Sequence, residues 1–134
     1  MKKVTLFLIA IFCLGLAGCS RDAEVNAFIT EFDAATQDIV AKIDADPSAA
    51  GIDAAQKSFG TKRLSLKAKF DAIKGAVGMQ VSEATMKKLK ESVDKNTKAL
   101  TDVSTKNMTK IAMDKDASAK FRTLMADFQS TIAK

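Results

Sequence analysis

Apolar residues recur at steps of three and four along most of the chain, and this spacing predicts helices rather than strands. The first stripe comprises Val25, Phe28, Ile29, Phe32, Ala35, Ile39, Val40 and Ile43. Asp46-Pro47 follows it and should end the helix, because a residue before proline avoids the helical conformation. A second stripe repeats every seven residues at Ile52, Phe59, Leu66 and Ile73. Gly60 lies inside it, and we favour a close helix crossing there over a kink.

The third predicted helix begins after Ser82, a suitable N-cap, and its stripe comprises Met86, Leu89, Val93, Leu100, Val103 and Ile111. Asn96 and Asn107 interrupt this stripe at core positions, where they either face a polar seam or fix register. The pattern lapses near Asp114–Asp116, and it resumes through Ala117, Phe121, Leu124, Met125, Phe128 and Ile132. Either a turn there, with Asp116 as the cap, starts a fourth helix, or one helix runs from 83 to 133. We favour four helices.

These elements predict an all-α fold, a small antiparallel bundle of four helices, with three helices and one long C-terminal helix as the alternative. Few turn residues and many alanines and lysines agree with this fold class. Charge is unevenly distributed: residues 19–53 hold two bases against eight acids, and residues 54–134 hold seventeen bases against eight acids. We therefore expect an acidic first helix to pack beside basic later helices.

One basic stretch falls within the third predicted helix and contains Lys87, Lys88, Lys90, Lys95 and Lys98. It is interpreted either as an exposed helix face or as a patch for an anionic partner. No aromatic residue is interleaved with these lysines, so the pattern does not favour nucleic acid.

The chain contains no histidine, which excludes histidine-dependent triads and the common zinc, haem and di-iron sites. The carboxylate pairs Glu31 with Asp38 and Asp44 with Asp46 are typical of solvated helix faces and ends. Methionines 79, 86, 108, 113 and 125 fall mostly in phase with the core and are expected to pack there. We expect no catalytic residue, metal or cofactor, and no enzymatic activity.

The N-terminal segment has a different pattern. Lys2 and Lys3 precede seventeen uncharged residues, Val4 to Ser20, and the apolar run ends in Leu16-Ala17-Gly18-Cys19. The run is shorter than the ~20 residues of a membrane-spanning helix. Small residues before a cysteine, at this distance from a basic N-terminus, resemble the signal and lipid-attachment sequence of bacterial lipoproteins. The resemblance covers about twenty residues, and the rest of the chain resembles no family we recognise.

The resemblance implies that residues 1–18 form a cleaved signal peptide and that Cys19 is lipidated, leaving residues 19–134 as one helical domain. Ser20, rather than aspartate, implies the periplasmic face of the outer membrane in a Gram-negative cell. In a Gram-positive cell it implies the outer face of the cytoplasmic membrane. The expected function is a non-catalytic structural or protein-interaction role in the envelope, with an envelope protein or an anionic cell-wall or lipid component as partner. The alternative is a binding or chaperone-like module for a hydrophobic or anionic ligand.

Overall fold

The computed structural model describes residues 20–76 and 80–133. Within these ranges the chain forms five helices: α1 (Asp22–Ala45), α2 (Ala49–Ala76), α3 (Glu83–Lys106), α4 (Met108–Met113) and α5 (Lys115–Ile132). The all-α prediction is confirmed. None of the described helices combines the length and apolarity that crossing a bilayer requires. The predicted signal peptide, Leu16-Ala17-Gly18-Cys19 included, lies outside the described residues.

The end of α1 and the starts of α2 and α3 follow the local signals in the sequence. Asp46 is the C-cap of α1, as expected before Pro47. The Ser48 hydroxyl then accepts a hydrogen bond from the Ala50 N–H at 3.2 Å. Ser82 caps α3, and its hydroxyl accepts from the Thr85 N–H at 3.3 Å. Short polar side chains thus satisfy backbone donors that a helix start leaves open.

The C-terminal half breaks twice, so a single helix from 83 to 133 is wrong and a fifth, short helix joins the predicted four. Asn107 ends α3, because its side-chain amide donates to the Val103 carbonyl at 3.0 Å and competes with the helical backbone. Asp114 caps α5 in place of the predicted Asp116, accepting from the N–H groups of Asp116 and Ala117 at 2.9 and 3.1 Å.

Three helix pairs pack closely: α1 with α2, α2 with α5, and α1 with α3. Polar contacts between the helices show whether each pair runs parallel or antiparallel. α1 and α2 are antiparallel, as predicted, and the Ser58 hydroxyl donates to Asp38 at 2.6 Å. The other two pairs run parallel, so the prediction of antiparallel neighbours is wrong for them. The reason is that α3 begins beside the start of α1, where Asp22 accepts from the Ser82 N–H, and ends beside the end of α1, where Asp44 accepts from Asn107.

Four phenylalanines fill the centre of the bundle. The ring of Phe32 lies 5.4 Å from Phe28 and 5.1 Å from Phe128, and Phe128 lies 5.9 Å from Phe59. All four are essentially inaccessible to solvent. Offset aromatic contacts of this kind add to the hydrophobic gain of burial, ~1.5–3 kcal/mol for such a side chain. The predicted α2 stripe that repeats every seven residues is fully buried in the same core.

Gly60 does not mark a helix crossing, contrary to the prediction. A Cβ built there would meet no atom within 4 Å, and α2 continues through this position without a break. Gly51 is the glycine that packing requires, because a Cβ there would lie 1.9 Å from the Asp46 carbonyl oxygen. The close approach therefore occurs at the short α1–α2 connection. The sequence pattern does not reveal it, because Gly51 looks like any glycine within a helix.

Candidate functional site

The proposed lipid-attachment residue, Cys19, lies outside the described residues, but the chain directly after it is well fixed. The Arg21 N–H donates to the Gln80 carbonyl at 2.7 Å, and the Arg21 guanidinium lies 3.4 Å from the Ala72 carbonyl. Ser20 is exposed. The domain therefore begins at the end of the bundle where α2 ends and α3 starts, and we call this the N-terminal end.

Asp22 strengthens the same junction. Its carboxylate accepts a hydrogen bond from the Ser82 N–H at 2.9 Å. That backbone bond is the main reason the pKa of the Asp22 carboxyl is lowered; partial burial opposes it, and bonds from Ser20, Ser82 and Thr85 assist. The start of α1 is thereby tied to the start of α3.

The five lysines predicted as an anionic-partner patch lie on exposed positions of α3, but three of them have acidic neighbours. Lys87 lies 3.9 Å from Glu91, Lys98 lies 2.5 Å from Asp102, and Lys95 lies 2.9 Å from Asp33 of α1. Each of these lysines remains more than half exposed. Contacts of this kind contribute little to stability, but they lower the local positive potential.

Two members of the patch differ from the rest. Lys88 and Lys90 form no ion pair with any described residue. Asp94 also lies on this side of α3 and offsets part of the charge. The lysine stretch is thus a helix face of mixed charge. Lys88 and Lys90, which form no ion pair with a described residue, lie on its two edges.

The polar seam predicted from Asn96 and Asn107 is confirmed. Asn96 is buried, and its amide donates to Asp33 Oδ1 at 2.5 Å, while the Ser92 hydroxyl donates to the same oxygen at 2.6 Å. Burial opposes ionisation of Asp33, but the hydrogen bonds from Ser92, Lys95 and Asn96 outweigh it and lower the pKa of this carboxyl. Asp33 therefore has a structural role, and its carboxylate is not arranged as a general acid or base.

The seam extends over the whole of α1. Asp44 accepts from Lys106 Nζ at 2.9 Å and from Asn107 Nδ2 at 3.2 Å, and the Lys106 contact is the main cause of its lowered pKa. Asp22, Asp33 and Asp44 are spaced by eleven residues and meet the start, middle and end of α3. We call these three residues the aspartate ladder. Its ion pairs confirm that the acidic first helix packs beside a basic later one.

The expectation that the methionines pack in the core is only partly correct. Met86 and Met125 pack against the core, and Met79 lies outside the described residues. Met108 and Met113 are 58% and 84% exposed. The break at Asn107 resets the helical phase, so that α4 buries only Ile111 and turns both methionines outward.

Among the described helices, α3 and α5 are not a closely packed pair. Five half-buried apolar side chains lie along their edges and pack against the core: Met86, Val93, Phe121, Met125 and Ile132. We call this feature the α3–α5 groove. Sequence reasoning assigned these residues to the core, because periodicity identifies an apolar side of a helix but not whether a neighbour covers it.

The described residues form no metal-binding cluster. No group of three or more carboxylate or thiol side chains that could hold a metal ion occurs within residues 20–76 and 80–133. Shallow surface hollows lie between α1 and α2, where Ala27 and Ile73 line one and Ala34 and Leu66 line the next. Comparison of the chain with protein-family models, with curated proteins and with solved structures finds no match.

Proposed function

We propose that this chain is a bacterial envelope lipoprotein, anchored through acyl chains on Cys19, whose helical domain has a non-catalytic structural or protein-interaction role. The sequence Leu16-Ala17-Gly18-Cys19 behind a basic N-terminus supports the anchor. The position of the domain relative to the anchor follows from Arg21, whose N–H donates a hydrogen bond to the Gln80 carbonyl. Only Ser20 separates this residue from Cys19.

This short connection sets the position of the domain relative to the bilayer. Two extended residues span at most about 7 Å, so the N-terminal end of the bundle stays close to the lipid headgroups. The opposite end, where Asp44 meets Asn107, lies about 35 Å away, because α1 has 24 residues that rise 1.5 Å each. An anchored bundle would therefore present α4 and the sides of its helices to partners.

The number of acyl chains determines how firmly the domain is held. Each buried CH₂ contributes ~0.8 kcal/mol, so one chain gives marginal, reversible binding, and two or three give stable anchoring. With Ser20 after the cysteine, we propose the periplasmic face of the outer membrane in a Gram-negative cell. In a Gram-positive cell the same signal places the domain on the outer face of the cytoplasmic membrane.

The anchor is tested by radiolabelled palmitate incorporation in Cys19→Ala cells. We expect the label to be lost and the precursor to remain uncleaved. Cys13→Ala is the matched control, since it removes the chain's other cysteine and should leave labelling and cleavage unchanged. Normal labelling of Cys19→Ala would refute the assignment.

A second candidate function is a carrier for a small hydrophobic or anionic molecule, and the α3–α5 groove is the feature that favours it. Native mass spectrometry of the purified chain distinguishes the two candidates. A carried small molecule would support the carrier. An unmodified protein mass, apart from the acyl groups, together with a co-purifying envelope protein would support the interaction role.

A further inference from the structure

Two hollows follow one another along the groove between α1 and α2. Each is lined by one glutamate and one alanine of α1, and by one lysine and one buried aliphatic residue of α2. The members are Glu24, Ala27, Lys69 and Ile73 in the first hollow, and Glu31, Ala34, Lys62 and Leu66 in the second. We call these two features the paired hollows, because the second repeats the chemistry of the first.

The spacing of the paired hollows is the same on both helices. Ala27 and Ala34 are seven residues apart on α1, and Leu66 and Ile73 are seven residues apart on α2. Seven residues make almost two helical turns, so each residue and its counterpart lie on nearly the same side of their helix, about 10.5 Å apart along it. The paired hollows are therefore two equivalent positions about 10.5 Å apart.

Each hollow has an apolar floor and room for a side chain. Leu66 and Ile73 are only 1% and 2% exposed and form the floor, and the small side chains of Ala27 and Ala34 leave the α1 rim low. The volumes are about 240 and 270 Å³. An apolar cavity of about 150 Å³ admits benzene, so each hollow can accept a side chain of the size of leucine.

An ion pair divides the groove between the two hollows. Lys69, which lines the first hollow, reaches across to Glu31, which lines the second. The floor is therefore not a continuous channel. A ligand that fills both hollows must enter at two separate points.

The two walls of the groove carry opposite charge. α1 has no base between Arg21 and Lys42, and α2 has no acid between Asp53 and Asp71. Lys62 is exposed and forms no ion pair with a described residue. A ligand with cations along α1 and anions along α2 is therefore complementary to this groove.

We propose that the paired hollows bind an amphipathic helix of a partner protein, which inserts two apolar side chains seven residues apart and carries basic residues along α1 and acidic residues along α2. This inference rests on the proposed interaction role and names its surface. A helix presents side chains i and i+7 on one side, about 10.5 Å apart, which is the distance between the hollows.

Other occupants match this spacing less well. An extended strand presents side chains on one side at about 6.8 and 13.6 Å, so it cannot fill both hollows. An acyl chain would meet the ion pair of Lys69 with Glu31 between them. A polyproline II helix repeats about every 9.3 Å and is the nearest competitor, so the test includes it.

The test uses the full-length chain in phosphatidylcholine nanodiscs and a fluorescein-labelled helical peptide of about 18 residues, stapled on its outer side. The peptide has leucines at i and i+7, lysines on one flank and glutamates on the other. A register control of the same composition has its leucines at i and i+9, on opposite sides of the helix. Fluorescence anisotropy should show saturable binding of the first peptide and at least about tenfold weaker binding of the register control.

Filling the hollows locates the site. Ala27→Leu with Ala34→Leu places larger side chains at both rims and should weaken binding by at least about tenfold. The matched control is Ala54→Leu with Ala68→Leu, which makes the same two changes at exposed positions of α2 outside the paired hollows. It should change affinity less than about twofold. Circular dichroism checks that both variants remain folded.

A charge exchange tests the α2 wall independently. A third peptide has lysines on both flanks and should bind the parent chain at least about threefold more weakly than the first. Lys62→Glu should reverse this preference. Lys88→Glu makes the same change in net charge on α3 and should leave the preference unchanged.

The outcomes separate the occupants and the two proposals. Equal losses in the two alanine pairs, undiminished binding of the register control, or displacement by a polyproline peptide but not by excess unlabelled helix would overturn the proposal. Palmitate labelling of the same preparation reports on the anchor. A labelled chain that does not bind the peptide overturns the paired hollows and leaves the anchor standing, whereas an unlabelled chain that binds it does the reverse.

Discussion

Asp33 of α1 accepts a hydrogen bond from Asn96 of α3, with 2.5 Å between Oδ1 and Nδ2, although Asn96 is only 2% exposed. An amide buried this deeply is costly unless it is paired. The Ser92 hydroxyl donates to the same oxygen, and Lys95 donates to the other. The pairing therefore specifies which edges of α1 and α3 meet and how the two helices are aligned along their axes.

Asp33→Ala should lower the free energy of unfolding by about 1–3 kcal/mol, because the Ser92 hydroxyl and the Asn96 amide lose the carboxylate oxygen that accepts from both, and Asn96 keeps only its bonds to Ser92. Urea unfolding at pH 7 measures the effect. Asp102→Ala is the control, since among the described residues Asp102 forms an ion pair only with Lys98, an exposed lysine on its own helix; it should change the same quantity by less than about 0.5 kcal/mol. Equal effects would show that the seam does not stabilise the fold.

Stability should fall as the pH drops from about 5 toward 2. The pKa values of Asp22, Asp33 and Asp44 are lowered in the folded chain. A lowered folded pKa gives stability that is present above the unfolded value of about 3.9 and is lost as the pH falls through the folded value. Without histidine, the chain should show little change between about pH 6 and 8. Urea midpoints across this range measure both parts.

Asp33→Asn supplies the control for the acid loss. The variant lacks one carboxyl whose pKa is lowered, so its stability should decline less between pH 5 and 3 than that of the parent. The decline should not vanish, because Asp38 and Asp53 also have lowered pKa values, through hydrogen bonds from Lys42 and Lys57 respectively. An identical decline in both proteins would contradict the assignment to Asp33.

Gly60→Ala should stabilise the chain by about 0.5–1 kcal/mol, because alanine reduces the backbone entropy lost on folding and its Cβ enters open space. Gly51→Ala should destabilise it, since its Cβ would collide with the Asp46 carbonyl. Thermal unfolding of the two variants tests the pair. A shift of the same sign in both would contradict the packing described for the α1–α2 connection.

Met108 and Met113 should be oxidised by dilute hydrogen peroxide before Met86 and Met125, because their side chains are exposed whereas the other two pack against the core. Peptide mass spectrometry over a time course gives the order of oxidation. Uniform oxidation of all four methionines would contradict the phase assigned to α4.

The sequence predicts the elements better than their arrangement. The stripe from Val25 to Ile43 and the cap at Ser82 depend on neighbouring residues, and both are confirmed. The parallel pairing of α1 with α3 depends on contacts between residues about 60 positions apart, such as Asp22 with Ser82, and local patterns carry no information about them. The short helix α4 was missed for a related reason, because Asn107 ends α3 partly through its contact with Asp44, 63 residues away.

The candidate site shows the same division. The segment ending in Cys19 is recognisable because its residues act together as a linear signal. The lysines of α3 can be read from the sequence, but the pairing of Lys95 with Asp33 of α1 cannot. The α3–α5 groove depends on α3 and α5 not packing closely against each other, and apolar periodicity is the same whether or not two helices pack at that edge.

The eleven-residue spacing of the aspartate ladder has a consequence for how this domain can change in length. Eleven residues make three turns of 3.67 residues, so Asp22, Asp33 and Asp44 return to nearly the same edge of α1. Their partners Asn96 and Asn107 have the same spacing on α3, with an offset of 63 residues in both pairs. A single inserted residue between Asp33 and Asp44 would rotate the rest of α1 by 100° and separate Asp44 from Asn107. At this seam, an insertion or deletion in α1 therefore keeps the contact only when it is close to a whole number of helical turns and α3 changes by the same number of residues.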